Sequence, residues 1–252
     1  MSTPLILLTN DDGIHAPGLR VLAESLADLG EVQVFAPDRE RSAVGHGISL
    51  HHPLRVKQIR EGWRSVDGTP ADCVLIAVRS LLGRRPDLVV SGINMGANLG
   101  DDVTYSGTVA GAREGMLLDI PSIAVSDINY QGAHLETAGA AARAIARFVL
   151  ANGLPRETML NVNVPGIPLE EIAGIEVTSM GRRYYDDEII HRKDPRGIDY
   201  YWVGGSAQPH EPQPGTDLHA TANKRVSVTP LQRDYTNHDA LGLFAQLPTS
   251  LG

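Results

Sequence analysis

Two adjacent carboxylates close the apolar run in Leu5-Ile6-Leu7-Leu8-Thr9-Asn10-Asp11-Asp12-Gly13. The run reads as a buried strand. A carboxylate at the mouth of such a strand costs desolvation energy unless something positive meets it. A metal ion is the positive object that best suits two of them side by side. Asn-Asp-Asp-Gly is also a good turn sequence, since all three residue types tolerate turn geometry, and an Asp can cap a following helix. The segment is therefore an active-site edge or a turn, and the rest of the chain must decide.

Three other segments carry the same kinds of oxygen. They are Pro37-Asp38-Arg39-Glu40-Arg41-Ser42, the Gly/Asn/Asp-rich stretch from Gly92 through Asn94 and Asn98 to Asp102, and Tyr105-Ser106-Gly107-Thr108. Carboxylate, amide and hydroxyl oxygens suit a hard divalent cation such as Mg²⁺, Mn²⁺ or Ca²⁺. No pair of histidines has helical metal spacing and Cys73 is the only cysteine, which speaks against structural zinc. Neighbouring residues on a strand point to opposite faces, so Asp11 and Asp12 share one ion only if the chain turns there. Gly13 is the residue that permits it. Ser106-Gly107-Thr108 at a helix start is a good phosphate cradle, through free N–H groups and the helix dipole. A plain hydroxyl N-cap would look the same. Arg39 and Arg41 either steer an anionic substrate or pair with Asp38 and Glu40 on a solvated loop. His15 and His46 read as local hydrogen-bonding residues. No Gly-x-Gly-x-x-Gly follows the first strand and no Walker motif is present, so dinucleotide and triphosphate readings lack support.

These segments act together only if the fold brings them to one place. The elements that must do so alternate. The spacing predicts a helix from Pro17 to Gly30, a strand over Glu31 to Ala36 and two short strands between Leu54 and Val66. Thr69-Pro70 reads as N-cap and first turn of a helix to about Leu82. Strands follow at Leu88–Ser91, Ile120–Ser126 and Met159–Val164, with helices at Thr108–Leu118 and Leu135–Leu150. Alternation of this kind predicts parallel βαβ units with helices on both faces of the sheet. In such sheets ligands bind at the carboxyl ends of the strands, and each polar segment above follows a predicted strand. The expected division is an α/β core over 1–165 carrying the site, then a β-rich region over 166–252. Residues 179–224 are dense in charge, Gly and Pro, with Tyr184, Tyr185, Tyr200, Tyr201 and Trp202. They read as an extended hairpin that packs either on its own core or on another subunit. Val226–Thr229 reads as a last strand and Asp239–Leu247 as a closing helix.

Composition bounds the function. The chain has 252 residues and a formal net charge of −8, which weighs against a polynucleotide-binding surface. No apolar run approaches the ~20 residues of a membrane helix. The short apolar run near the start lacks the basic flank and cleavage-like site of a signal peptide. One cysteine permits no intrachain disulfide, which fits a cytoplasmic protein.

Taken together the segments resemble the SurE stationary-phase survival proteins, a family of metal-dependent nucleotidases. The resemblance rests on Thr9-Asn10-Asp11-Asp12-Gly13 with His15-Ala16-Pro17-Gly18, on Ala36-Pro37-Asp38-Arg39 through Arg41-Ser42, and on Gly68-Thr69-Pro70-Ala71-Asp72-Cys73-Val74. Val90-Ser91-Gly92-Ile93-Asn94, Asn98-Leu99-Gly100-Asp101-Asp102 and Tyr105-Ser106-Gly107-Thr108-Val109 extend it. Asn161-Val162-Asn163-Val164-Pro165, Asp194-Pro195-Arg196-Gly197 and Thr229-Pro230-Leu231 carry it to the C-terminal region. It implies a three-layer Rossmann-like core and a C-terminal hairpin arm exchanged between subunits of a homodimer or homotetramer. It also implies one divalent ion per subunit, Mg²⁺ or Mn²⁺, held by Asp11, Asp12, Ser42 and Asn94. The implied activity is hydrolysis of nucleoside 5′- or 3′-monophosphates, with trimming of short polyphosphate in some members. On this reading Asp11 and Asp12 are catalytic, and Asn10, Asn94, Asn98, Ser106, Gly107 and Thr108 lie against the substrate phosphate. An aspartyl-phosphate mechanism calls for Asp-x-Asp, and the adjacent pair lacks the spacer. A nucleotide-binding sensor without turnover is the remaining rival.

Overall fold

A computed structural model of the chain describes residues 3–183, 185, 189–204, 212–245 and 247. Tyr184 of the predicted arm lies outside them.

The elements run β1 (Leu5–Thr9), α1 (Pro17–Leu26), β2 (Glu31–Pro37), β3 (Val56–Arg60), β4 (Trp63–Val66), α2 (Pro70–Ile76), β5 (Leu88–Met95) and α3 (Gly107–Leu117). They continue with β6 (Ser122–Asp127), α4 (Leu135–Asn152), β7 (Thr158–Val164), β8 (Ile175–Val177), β9 (Ile189–Lys193), β10 (Asp199–Val203), α5 (Asp217–Ala222), β11 (Val226–Gln232) and α6 (Leu241–Phe244). Strands and helices alternate through β7, as the apolar spacing predicts. Thr69 caps α2 as expected: its hydroxyl accepts the Asp72 N–H at 3.1 Å, and the Asp72 carboxylate accepts the Thr69 N–H at 2.9 Å. The helix predicted to reach Leu82 instead loosens into a π turn over Ala77–Leu81.

Nine strands form one sheet in the order β3-β4-β2-β1-β5-β6-β7-β11-β8. From β4 to β7 every neighbouring pair is parallel, and β11 then runs antiparallel to β7. Strand alternation sends side chains to two separate cores. Ile6, Leu8, Val34 and Val90 face Leu19 and Leu22 of α1 and Ala138 and Ala142 of α4. Leu7, Phe35 and Val89 face Cys73 and Val74 of α2 on the other side. Val109, Ala112 and Met116 of α3 pack with Ala124, Met159 and Leu231. The result is a three-layer α/β sandwich whose parallel strands end along one edge. Cys73 is a free, buried thiol in the core.

β9 and β10 stand apart from this sheet as an antiparallel hairpin of their own. Tyr201 stacks on His191 with ring centroids 4.8 Å apart. Ile189, Tyr200, Tyr201, Trp202 and Val203 of the hairpin are exposed. No helix among the described residues is long and apolar enough to cross a membrane.

Candidate active site

The β1 and β2 loops are joined by their backbones. The Ile14 N–H donates to the Pro37 carbonyl at 2.8 Å, and the Arg41 N–H donates to the Asp11 carbonyl at 2.7 Å. Gly13 makes the turn with φ +99°, and a Cβ there would stand 3.1 Å from the Arg39 carbonyl carbon. A side chain at this position would meet both a disfavoured φ and a backbone wall. Asp12 and Ser42 are thereby brought to the same edge. β5 reaches past its predicted end to Met95, and its register with β6 breaks between Ser91 and Asn94. The Asn94 amide is then oriented by its own loop, its Nδ2 donating to the Gly96 carbonyl at 2.8 Å.

A cavity of about 620 Å³ opens between these segments. Asp11, Asp12, Ser42, Asn94, Asn98 and Ser106 all line it. Glu40 and Asp102 line it too, and no Lys, Arg or His does among the described residues. Four carboxylates thus face one hollow, and among the described residues only Asp102 of the four is met by a cation within salt-bridge distance, that of Arg183. Ser42 donates to Glu40 Oε1 at 2.7 Å. Arg39 and Arg41 turn away from the cavity. Arg41 donates to the Asp67 carbonyl at 3.1 Å, and both arginines stand 3.9 Å from Asp38.

Asn10, Gly107 and Thr108 sit behind the cavity wall. Asn10 is buried, its Nδ2 donating to the Gly13 carbonyl at 3.0 Å. The Thr108 hydroxyl donates to Asp11 Oδ1. A Cβ on Gly107 would stand 2.8 Å from Asp11 Cβ, so the bare glycine lets α3 press its first turn against that side chain. The anion at the α3 N-terminus in this structure is therefore Asp11 itself, where helix dipole and N–H groups both favour charge. Ser106 caps the helix, its Oγ accepting the Val109 N–H at 3.1 Å.

Burial pushes the Asp11 carboxyl up, against the opposing pull of its Thr108 bonds. Burial first, and the charge of Asp11 second, push Asp12 up to about 6. A carboxyl raised in the folded state contributes stability that is lost as pH rises from its unfolded value, 3.8, through about 6. Burial thus makes charge on either carboxylate costly, a cost that a cation would relieve. Asp12 Oδ2 is buried and has no hydrogen-bond partner among the described residues.

Asn98 is fixed from below. Its N–H donates to Asn163 Oδ1 at 2.9 Å and its Nδ2 donates to Ser126 Oγ at 2.8 Å. Its carbonyl accepts from Asn161 at 2.8 Å and Asn163 at 3.0 Å. The next turn is tied by Asp217, which accepts the Gly100 N–H through Oδ2 and the Gly181 N–H through Oδ1, each at 2.8 Å. Arg183 pairs with Asp102, and Tyr185 donates to Asp102 Oδ1 at 2.5 Å. Burial, and then the bond to Asp102, push the Tyr185 hydroxyl up, so it stays a donor. The base of the C-terminal arm is therefore one wall of the cavity.

Comparison with known proteins decides the family. The family model described as Survival protein SurE matches residues 6–187. This chain belongs to the SurE family. Among its SurE relatives, the 5′-nucleotidase SurE of Geobacter sulfurreducens is 54% identical over 239 residues, spanning 94% of this chain and 91% of that protein. The 5′-nucleotidase SurE of Pelobacter propionicus is 54% identical over 237 residues, spanning 94% and 96%. The crystal structure of the SurE protein from Aquifex aeolicus superposes with a TM-score of 0.87 at 45% identity, covering 95% of this chain and 98% of that one.

Sequence reasoning missed part of the SurE cavity wall. Glu40 reads in the sequence only as a partner for the loop arginines and Asp102 carries no reading of its own, because a motif does not say which of its acids turns inward. Tyr105, Tyr130 and Tyr185 also line the cavity. Tyr105 had a signal in its place before Ser106, whereas Tyr130 follows the β6 loop and carried none.

Proposed function

We propose that this protein is a divalent-metal-dependent phosphomonoesterase that hydrolyses nucleoside 5′-monophosphates, with 3′-monophosphates and short polyphosphate as further substrates. The observation that carries the reading is the all-acidic cavity. A phosphate dianion enters a hollow lined by Asp11, Asp12, Glu40 and Asp102 only if a cation neutralises it. The available donors are oxygens from two carboxylates, a hydroxyl and an amide, a set that fits Mg²⁺ or Mn²⁺. No group of three or more His, Cys, Asp or Glu side chains is placed to hold a metal among the described residues. The set proposed is instead a mixed one of Asp11, Asp12, Ser42 and Asn94, one ion per subunit. That ion would supply positive charge to the non-bridging phosphate oxygens and to the leaving alkoxide.

The chain's own residues do the rest. Thr108 fixes Asp11 in direction through its hydroxyl. Asp12 is the more exposed of the pair, and it orients the attacking water and takes its proton. Asn98 and Ser106 line the path of the phosphoryl oxygens, and Asn10, Gly107 and Thr108 support Asp11 from behind. Reactions of this kind need positioning and charge more than covalent chemistry.

The test is phosphate release from a panel of 5′- and 3′-nucleotides and short polyphosphate. Release is expected with Mn²⁺ or Mg²⁺ and none after chelation with EDTA. Nucleotide binding without release would instead establish the sensor. Full activity of metal-free enzyme would remove the reading.

The same reading takes the protein as a cytoplasmic homodimer or homotetramer joined through its C-terminal region. Exposed Tyr200, Tyr201, Trp202 and Val203 support this, since a hairpin with no sheet to join leaves large rings and strand edges uncovered. Deleting residues 182–203 is expected to yield smaller species by light scattering with the α/β core still folded by circular dichroism. An intact protein that is monomeric at micromolar concentration would show that the arm serves its own subunit.

A further inference from the structure

We propose that Tyr130, with Tyr185 and Tyr105 beside it, forms a stacking platform for the nucleobase at the mouth of the acidic cavity. The inference rests on the nucleotidase reading and names the part of that site that selects nucleotides over other phosphate esters. Its basis is the uneven division of the cavity wall. The floor is carboxylates and amides, whereas the mouth carries three tyrosines, with Tyr130 70%, Tyr105 67% and Tyr185 41% exposed. Large rings so exposed around a concave site mark a surface that is covered when a ligand is present.

The rings are held in different ways. Gly96 adopts φ +141°, and a Cβ there would stand 2.6 Å from Tyr130 Cε1, so the ring lies directly on the bare glycine backbone. That glycine is also the residue whose carbonyl orients Asn94. The loop that sets a proposed metal ligand thus seats the aromatic ring two residues on, which fixes the distance from phosphate end to base end. The Tyr185 hydroxyl is bonded to Asp102, and the Arg183 guanidinium lies 5.4 Å from its ring centroid. Among the described residues no hydrogen bond ties the Tyr130 hydroxyl, and the side chain is largely exposed.

A nucleoside monophosphate matches both halves, with its phosphate toward the acids and its base toward the rings. Stacking reads a π face and not a hydrogen-bonding edge. The platform therefore favours nucleotides over sugar phosphates and discriminates weakly among bases.

Steady-state kinetics with Mn²⁺ on adenosine 5′-monophosphate and ribose 5-phosphate, which lacks the base, test this. Tyr130→Ala is expected to raise KM for the nucleotide by about 10-fold or more, with kcat little moved and a far smaller effect on ribose 5-phosphate. Tyr130→Phe should recover the nucleotide KM, because the ring and not the hydroxyl does the work. Equal losses on both substrates, or a Phe variant as poor as Ala, would overturn the proposal. Equilibrium dialysis of adenosine 5′-monophosphate with wild type and Tyr130→Ala separates it from the parent reading. If wild type binds without turnover and the Ala variant binds about 10-fold more weakly, the platform stands and the nucleotidase reading falls. Equal binding by both proteins overturns the platform whatever the turnover.

Discussion

In the Asp11→Asn protein, phosphate release is expected to fall by at least about 100-fold, the cost of losing one strong electrostatic contact at a reacting phosphate. The substitution keeps size and shape. Thr108 can still donate to the amide oxygen through its hydroxyl, so α3 stays in place. What is lost is one of the four carboxylate charges that line the cavity. Burial already pushes this carboxyl up, so the neutral amide relieves a cost in the metal-free protein. Metal-free Asp11→Asn should therefore unfold at or above the wild-type temperature, whereas the rise in melting temperature expected for wild type with Mn²⁺ should be lost. Ser42→Ala should be milder, because a neutral hydroxyl already shared with Glu40 contributes less. A near wild-type rate with an unchanged Mn²⁺ response in Asp11→Asn would remove Asp11 from the machinery.

Gly18→Ala is expected to produce the largest structural effect of any single methyl in this site. A Cβ at Gly18 would stand 2.0 Å from the Ile93 carbonyl oxygen and 3.0 Å from its carbon. Both atoms are backbone, so α1 or β5 must move. Overpacking of this kind costs about 2–3 kcal/mol, which for a chain of this size lowers the melting temperature by roughly 5–10 °C. Ile93 immediately precedes Asn94, so the displaced segment carries a proposed ligand. The Mn²⁺-dependent rise in melting temperature should shrink together with stability. A Gly18→Ala protein that melts with wild type would mean that α1 and β5 yield freely here.

The core was legible because its signals were local. Leu5–Leu8 and Leu88–Val90 are continuous apolar runs, and such runs become strands buried on both faces wherever helices cover a parallel sheet. Thr69-Pro70 announced α2 through capping chemistry that needs only three residues to read. The convergence of Asp11, Asp12, Ser42, Asn94, Asn98 and Ser106 was legible too, because parallel strands all deliver their following loops to one edge. The direction of each side chain was not. Thr108 sits in a motif that reads as a phosphate cradle, yet its hydroxyl serves Asp11. Whether a helix N-terminus meets a substrate or a neighbouring carboxylate depends on which loop lies above it. Spacing along the α3 sequence does not record that loop. Tyr130 was silent for the same reason, since its place depends on the bare backbone of Gly96 in a different loop.

Asp217 holds the turns at Gly100 and Gly181 with one carboxylate, and β11 enters the sheet between β7 and β8. Synthesis proceeds from the N-terminus, and domains made first tend to fold first. A nascent chain that has exposed Asp11, Asp12, Ser42 and Asn94 still lacks the residue that pins the loop bearing Asn98, and lacks the strand that covers the free edge of β7. The chemistry-bearing residues are translated early, and the clamp that orders them arrives only after residue 217. Ribosome-bound intermediates thus carry the acids without the assembled hollow. The hollow is complete only once Asp217 and the strand that follows it have been made.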